Sequence, residues 1–250
     1  MKGNNPLRIA CAERPLLWPK FHMLDTAISI GTGHADRAPV QPDTGSPPSF
    51  LSRLWRASND LIDGEISWQS LQSELSRDEI QRFHRFNIPL RKGELPALDD
   101  VREVSGLERK TRHDFSEAPR KQMVTRAARS LLANLFFLEL ESYKKVSLSP
   151  GHQPKFQFEG YICCRLRLGA KGQTPLIRKL RDDGCRFMVR DQPVDLSNEF
   201  IWKVESGSDF NLPVKYYSVS PESEKPSTSL VFKDAAERFP ISGSPQGISG

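Results

Sequence analysis

The chain has 250 residues, of which 37% are hydrophobic and 27% charged, a length that fits one large domain or two small ones. A mean hydropathy of -0.51 is polar for a folded protein, yet the supply of Leu, Ile, Val and Phe excludes wholesale disorder. The longest apolar run, Leu131–Leu140, is broken by Asn134 and Glu139 and falls short of the roughly 20 residues of a membrane-crossing helix. Thirty-six Lys and Arg against 31 Asp and Glu leave a net charge of +5. The basic residues are scattered among acidic ones, as in Arg181-Asp182-Asp183. This reads as a solvated, mildly basic surface and not as a nucleic-acid face.

In chain order, Asn4-Asn5-Pro6 is a helix-start signal, with Asn5 as cap and Pro6 at the first helical position. The helix it opens puts Leu7, Ala10, Cys11, Leu17 and Trp18 on one side, with Pro15 interrupting its last turn. Thr26–Ile30 reads as a short buried strand running into Gly31-Thr32-Gly33. A dinucleotide fingerprint would need a third glycine at position 36, where Asp36 stands. The two glycines therefore serve a sharp turn at the carboxyl end of the strand, where α/β sheets place their sites.

A Pro/Gly/Ser-rich loop covers 35–48, and helical spacing follows through Phe50, Leu54, Trp55, Leu61 and Ile62. Ser67 is positioned to cap a helix bearing Trp68, Leu71 and Leu75, and Ser76-Arg77-Asp78-Glu79 has capping-box spacing. The segment 85–90 is expected to be extended, since Pro89 biases Ile88 away from helix. A further helix is expected to start at Asp99-Asp100, and a long one to run from Pro119 to Glu141 with Met123, Ala127, Leu131, Leu135 and Leu138 on its apolar stripe. Beyond Ser149-Pro150-Gly151 the chain reads as β-rich: strands at Phe156–Leu168, Cys185–Arg190 and Glu199–Val204, a short helix at Pro175–Arg181, and a flexible tail over 218–250. The expected organisation is 1–141, then a β-rich module at 155–217, with the boundary near 141–155.

Catalytic patterns are missing. There is no G-x-S-x-G, P-loop, H-E-x-x-H or kinase signature; Gly243-Ser244-Pro245-Gln246-Gly247 places its serine one position early. His22, His34, His84, His113 and His152 are isolated, and Asp99-Asp100 reads as a helix cap. Cys11, Cys163, Cys164 and Cys185 lack C-x-x-C spacing, so no metal is expected. No signal-peptide pattern opens the sequence, which sets a cytoplasmic location and reduced thiols as the expectation.

The N-terminal segment resembles a known family. Gly3-Asn4-Asn5-Pro6, a helix finishing in Trp18-Pro19, then Asp25 ahead of Ser29-Ile30-Gly31-Thr32-Gly33, is similar to the end of a patatin-like phospholipase domain. There an N-N-P, a helix closing in W-P and a D-x-x-x-S-I-G-T-G strand follow one another at this spacing. Arg82–Leu90 with Leu98–Val101 is similar to the downstream part of fungal members. The resemblance implies a three-layer α/β/α fold, present here in part, followed by helices and a smaller β-rich module. It also implies hydrolysis of acyl esters of lipids by a Ser–Asp dyad, a lipid or phospholipid substrate, and no cofactor. Aligned on Asn4-Asn5-Pro6, the dyad Asp stands just upstream of Met1 and the nucleophile farther back, so no catalytic residue falls within this sequence. Met1 is then expected to be an internal methionine or the mark of a truncation, and the chain to be inactive on its own. The alternative is a non-catalytic interaction module whose basic 119–141 segment meets a protein or an anionic membrane, as a peripheral contact.

Overall fold

The computed structural model describes residues 6–19, 24–35, 64–90, 101–146, 155–167, 169–218 and 226–244. They belong to two compact units, Met1–Ala127 and Ala128–Gly250, and both mix helices with strands. The division does not fall at 141–155, because the strands on either side of that stretch pair with each other (below).

In the first unit α1 spans Leu7–Leu17; Asn5 lies outside the described residues. Pro15 sits inside α1 without ending it. It removes a hydrogen bond only in the final turn, where one is cheapest to lose. The expected apolar side divides: Leu7 and Cys11 pack on the small core of Ala27, Trp68, Leu71 and Phe83, whereas Leu17 and Trp18 are exposed. The strand expected at Thr26–Ile30 is β1 (Ala27–Ile30), followed by β2 (His34–Ala35).

The expected cap Ser67 lies within α2 (Gly64–Glu74). The box at Ser76 closes as its spacing foretells: in α3 (Arg77–Ile80) the Glu79 amide donates to Ser76 Oγ at 3.3 Å, and the Ser76 amide donates to Glu79 Oε2 at 3.0 Å. The extended segment resolves into β3 (Phe83–Phe86) and β4 (Pro89–Leu90). Strands β1 and β3 pair in parallel, Ala27 opposite Phe83 and Ile30 opposite Phe86, and β2 pairs in parallel with β4. A short 3-10 turn, Val101–Glu103, leads into α4 (Val104–Ser116); Asp99 and Asp100 lie outside the described residues.

The long helix expected to reach Glu141 is α5 (Ala118–Ala133), after which the chain becomes β5 (Phe136–Val146). Leu135 and Leu138 fit a helical stripe, but Phe136, Leu138 and Leu140 also alternate with Phe137 and Glu139. That two-residue period sends Phe136 and Leu138 into the core, which a helix would scatter round its circumference.

In the second unit β5 pairs antiparallel with β6 (Lys155–Cys164). After α6 (Gln173–Asp182) come β7 (Arg186–Val189) and β8 (Gln192–Val194). The expected strand at Glu199–Val204 is instead a helix, α7 (Asn198–Glu205). Ser197 Oγ accepts from the Phe200 amide at 3.1 Å, Ile201 and Val204 are its buried pair, and Lys203 pairs with Glu199 one turn back; three-residue spacing outweighs β-branching.

Strand β9 (Asn211–Ser218) completes the antiparallel order β5-β6-β9. The expected flexible tail is also corrected: β10 (Thr228–Val231) is buried along its length, pairs with β7 and with β11 (Arg238–Pro240), and completes the order β11-β10-β7-β8. A register shift between Leu140 and Ser142 forms a bulge facing Gly160, where a Cβ would lie 2.3 Å from the Glu139 carbonyl oxygen. All four cysteines are unbridged. No helix among the described residues is long and apolar enough to cross a membrane.

Aromatic packing holds this unit together. Phe136 meets Phe187 edge-on at 5.1 Å and Phe210 at 5.0 Å, and Phe158 stacks on Tyr216 at 5.0 Å. Phe187, fully buried between helices and sheet, is the point where truncation does most harm: Phe187→Ala is expected to cost about 3–5 kcal/mol, read as a lowered urea midpoint for the second unit.

Candidate functional site

The turn after β1 is held by a single carboxylate. Glu65, in the first turn of α2, receives Arg85 Nε at 3.0 Å, Arg85 Nη2 at 2.8 Å and Asn87 Nδ2 at 2.5 Å, all on Oε1. Arg85 Nη1 donates to Ser29 Oγ of β1 at 2.8 Å, and Asn87 Oδ1 accepts from the Gly33 amide at 2.7 Å. The Arg85 side chain is 6% exposed, so its charge is matched where water cannot screen it.

Both glycines are obligatory here. A Cβ on Gly31 would fall 2.3 Å from Asn87 Oδ1 and 2.9 Å from Arg85 Nη2, and Gly33 has φ +98 with Leu90 Cδ1 at 2.6 Å from its would-be Cβ. The sharp turn foreseen at the end of the strand is real. Its clamp was not legible, because its three partners are separated from the turn by up to 56 residues.

Beside this clamp, α2, β3 and α5 enclose a cavity of about 380 Å³. Its polar lining includes His34, His84, Arg85, Arg120 and Arg126, with Glu65 the one carboxylate among the described residues, and Trp68, Phe83 and Phe86 form apolar wall. His84 is 7% exposed, and its Nε2 has no hydrogen-bond partner among the described residues. Burial, with Arg126 adding to it, pushes the His84 imidazole below its ordinary value of 6.5. His34 Nδ1 is likewise buried without a partner. Arg120 pairs with Asp114 through Nε at 3.3 Å.

The remaining candidates do not assemble into a reaction centre. Asp25 precedes β1 near the buried guanidinium of Arg82, which donates to the Leu24 carbonyl at 3.1 Å. His113 is exposed and lies 3.8 Å from Glu117, and His22 and His152 are outside the described residues. Ser29 Oγ accepts from the Arg85 guanidinium. The thiols are suppressed: burial, reinforced by Glu139, pushes Cys163 up to about 11, and burial, reinforced by Asp183, pushes Cys185 up to about 12. A thiol held protonated is a poor nucleophile. Among the described residues no group of three or more His, Cys, Asp or Glu side chains could hold a metal ion. Comparison of the chain with family models, curated proteins and solved structures gives no match.

Two outcomes follow for the clamp and the cavity. Arg85→Ala removes both guanidinium donors from the Glu65 carboxylate and is expected to destabilise the first unit by about 3–5 kcal/mol, measured by urea unfolding. The pH dependence carries the opposite sign to a salt-bridged histidine. Folded His84 refuses a proton that the unfolded chain accepts near 6.5, so its contribution is present above that pH and is lost as the pH falls below it. Among the described residues, the charged and titratable groups that line the cavity with it are Arg120 and Arg126 on α5, Arg85 beside it on β3, Glu65 on α2 and His34 on β2. His84→Gln is expected to flatten the acid limb of a stability–pH profile recorded by thermal melting.

Proposed function

We propose that this chain is the C-terminal part of a patatin-like lipid acyl hydrolase, a phospholipase-type protein of lipid metabolism, and that it does not itself hydrolyse lipids. The observation that carries the reading is the parallel pairing of β1 with β3, ending in the clamped Gly31–Gly33 turn. Parallel strands belong to sheets covered on both faces, and a two-stranded parallel ribbon is too small to stand as a sheet of its own. Here β1 has β3 as its one strand partner among the described residues. Ile30 is 77% exposed and Leu16 82% exposed, so apolar residues of strand and preceding helix await a cover. On this reading the remaining strands, the Ser–Asp dyad and the oxyanion donors are supplied by residues outside this sequence.

The residues in hand support the second half of the proposal chemically. Ester hydrolysis needs a hydroxyl or thiol activated by a base and a donor pair for the oxyanion, each contributing orders of magnitude in rate. Ser29 is hydrogen-bonded by a cation, and Cys163 and Cys185 are held protonated. The interaction-module alternative drew on the basic residues of α5, and two of these are engaged: Arg120 with Asp114, and Arg129 with Asp234 at 2.6 Å. That engagement makes a membrane-facing charge stripe the weaker reading.

The 250-residue chain is expected to show no turnover of a short-chain nitrophenyl ester or of phosphatidylcholine above the buffer blank; clear turnover would overturn the inactive reading. The family reading is checked by hydrogen exchange. Ala27 donates to the Arg82 carbonyl just before β3 at 2.8 Å and Gly31 to the Phe86 carbonyl at 2.7 Å, and both amides are expected to be protected. Ile28 and Ile30, on the open edge, are expected to exchange freely; protection of both would remove the case for missing strands.

A further inference from the structure

The cavity between α2, β3 and α5 has a character that neither the acyl-hydrolase reading nor the clamp requires. We propose that it binds the phosphate group of a small phosphate monoester, with His84 Nε2, Arg120 and Arg126 as donors to the anion and the aromatic wall receiving the organic part. The proposal is independent of the enzyme family to which the chain belongs.

Three observations converge. First, a nitrogen on a side chain 93% removed from solvent, His84 Nε2, has no hydrogen-bond partner among the described residues, yet His84 lines an open cavity. Buried polar atoms are almost always satisfied, so an orphan at a cavity wall points to a group that arrives from outside. His34 Nδ1, from another strand, repeats the pattern on the same cavity. Second, among the described residues the lining carries three guanidinium groups and one carboxylate, Glu65. That carboxylate is already spent on Arg85 and Asn87. Arg120 has one ion pair, to Asp114, and a guanidinium offers five N–H donors, so one pair does not exhaust it. Guanidinium N–H groups beside the two orphaned imidazole nitrogens suit an anionic ligand.

Third, the cavity is not uniformly polar. Trp68, Phe83, Ile80 and Met123 share the lining with the cations, the mixture expected of a site for an organic molecule with one charged end. A phosphate monoester carries close to two negative charges at neutral pH and three acceptor oxygens, which suits several donors entering from different elements. Arginine forks match phosphate geometry in particular. A monocarboxylate offers about half the charge and one acceptor oxygen fewer. Phosphate on a soluble molecule and phosphate on a lipid headgroup present the same chemistry to these donors, and the experiment separates them.

The test uses the full 250-residue chain and follows its histidine ring signals by NMR, His84 being assigned with His84→Gln. Inorganic phosphate, glycerol phosphate and acetate are titrated at constant ionic strength, and vesicles of phosphatidylcholine with phosphatidic acid are tested by co-sedimentation. The expected result is a saturable shift of the His84 and His34 signals with glycerol phosphate, weaker with inorganic phosphate and absent with acetate, while exposed His113 stays still. Arg120→Gln/Arg126→Gln, checked for an unchanged circular dichroism spectrum, is expected to weaken glycerol phosphate binding by at least about tenfold, the loss of one charge-assisted hydrogen bond. If that variant does not fold, His84→Gln supplies the same comparison. Vesicle co-sedimentation that the variant abolishes, without a response to the soluble ligands, assigns the phosphate to a lipid. Stationary His84 and His34 signals with all the soluble ligands, together with vesicle binding that is absent or unchanged in the variant, would overturn the proposal, as would acetate binding as tightly as glycerol phosphate.

Discussion

One carboxylate oxygen holds the first unit in its form. Glu65 Oε1 receives three donors from two side chains, and through them the start of α2, the middle of β1, the end of β3 and the Gly31–Gly33 turn become one object. The arrangement is conditional in the way buried charge always is. Complete, it satisfies each polar group that folding takes from water; missing either Arg85 or Glu65, it leaves a charge where the dielectric is low. The backbone adds two ties of the same reach, Gly31 N–H to the Phe86 carbonyl at 2.7 Å and His34 N–H to the Ile88 carbonyl at 3.0 Å, while the glycines supply freedom and no side-chain contacts of their own. The same Arg85 that closes the clamp also stands in the lining of the cavity, so the clamp fixes one wall of the proposed anion site.

The second unit is organised on another principle. Its interior is a continuous set of aromatic and aliphatic side chains contributed by both sheets and both helices, and polar ties appear at its margins. Arg165 Nη2 donates to Ser242 Oγ at 2.5 Å, and the Thr228 amide donates to Ser244 Oγ at 2.7 Å. Arg129 lies over the Phe232 ring at 4.7 Å while pairing with Asp234. These contacts fasten the last described residues to a core that stretches back to Ala133.

Legibility in the sequence followed the range of the forces involved. The capping box at Ser76, the strand at Ala27–Ile30 and the glycine turn were readable because each is decided by neighbours within a few residues. The helix expected to continue to Glu141 and the strand expected at Glu199–Val204 failed where a short apolar run fits both periods and tertiary burial decides. The tail from Ser218 looked poor in apolar residues, yet Leu230, Phe232, Phe239 and Ile241 are buried: a few well-spaced side chains suffice when a core is waiting for them. In β9 the alternation of Leu212, Val214 and Tyr216 inward with Asn211, Pro213 and Lys215 outward was a signal present and unread. The cavity could not have been foreseen, since His34, His84 and Arg126 are meaningful only once β2, β3 and α5 stand together.

The bulge at Leu140–Ser142 bears on how the molecule keeps to itself. Strand β5 lies at the rim of its sheet, and a rim strand of that length is a template onto which a second chain can add its own backbone. Near its start the rim is occupied, for Phe136 accepts from the Ser242 amide at 2.9 Å and Phe137 bridges Ser242. At the bulge the ladder loses its even spacing, and beyond it Lys144 and Lys145 stand along the strand. An incoming copy would meet a broken repeat and like charge together. The irregularity that Gly160 makes room for thus acts as an insulator, letting the unit carry a long outer strand without offering it as a seed for intermolecular sheet growth.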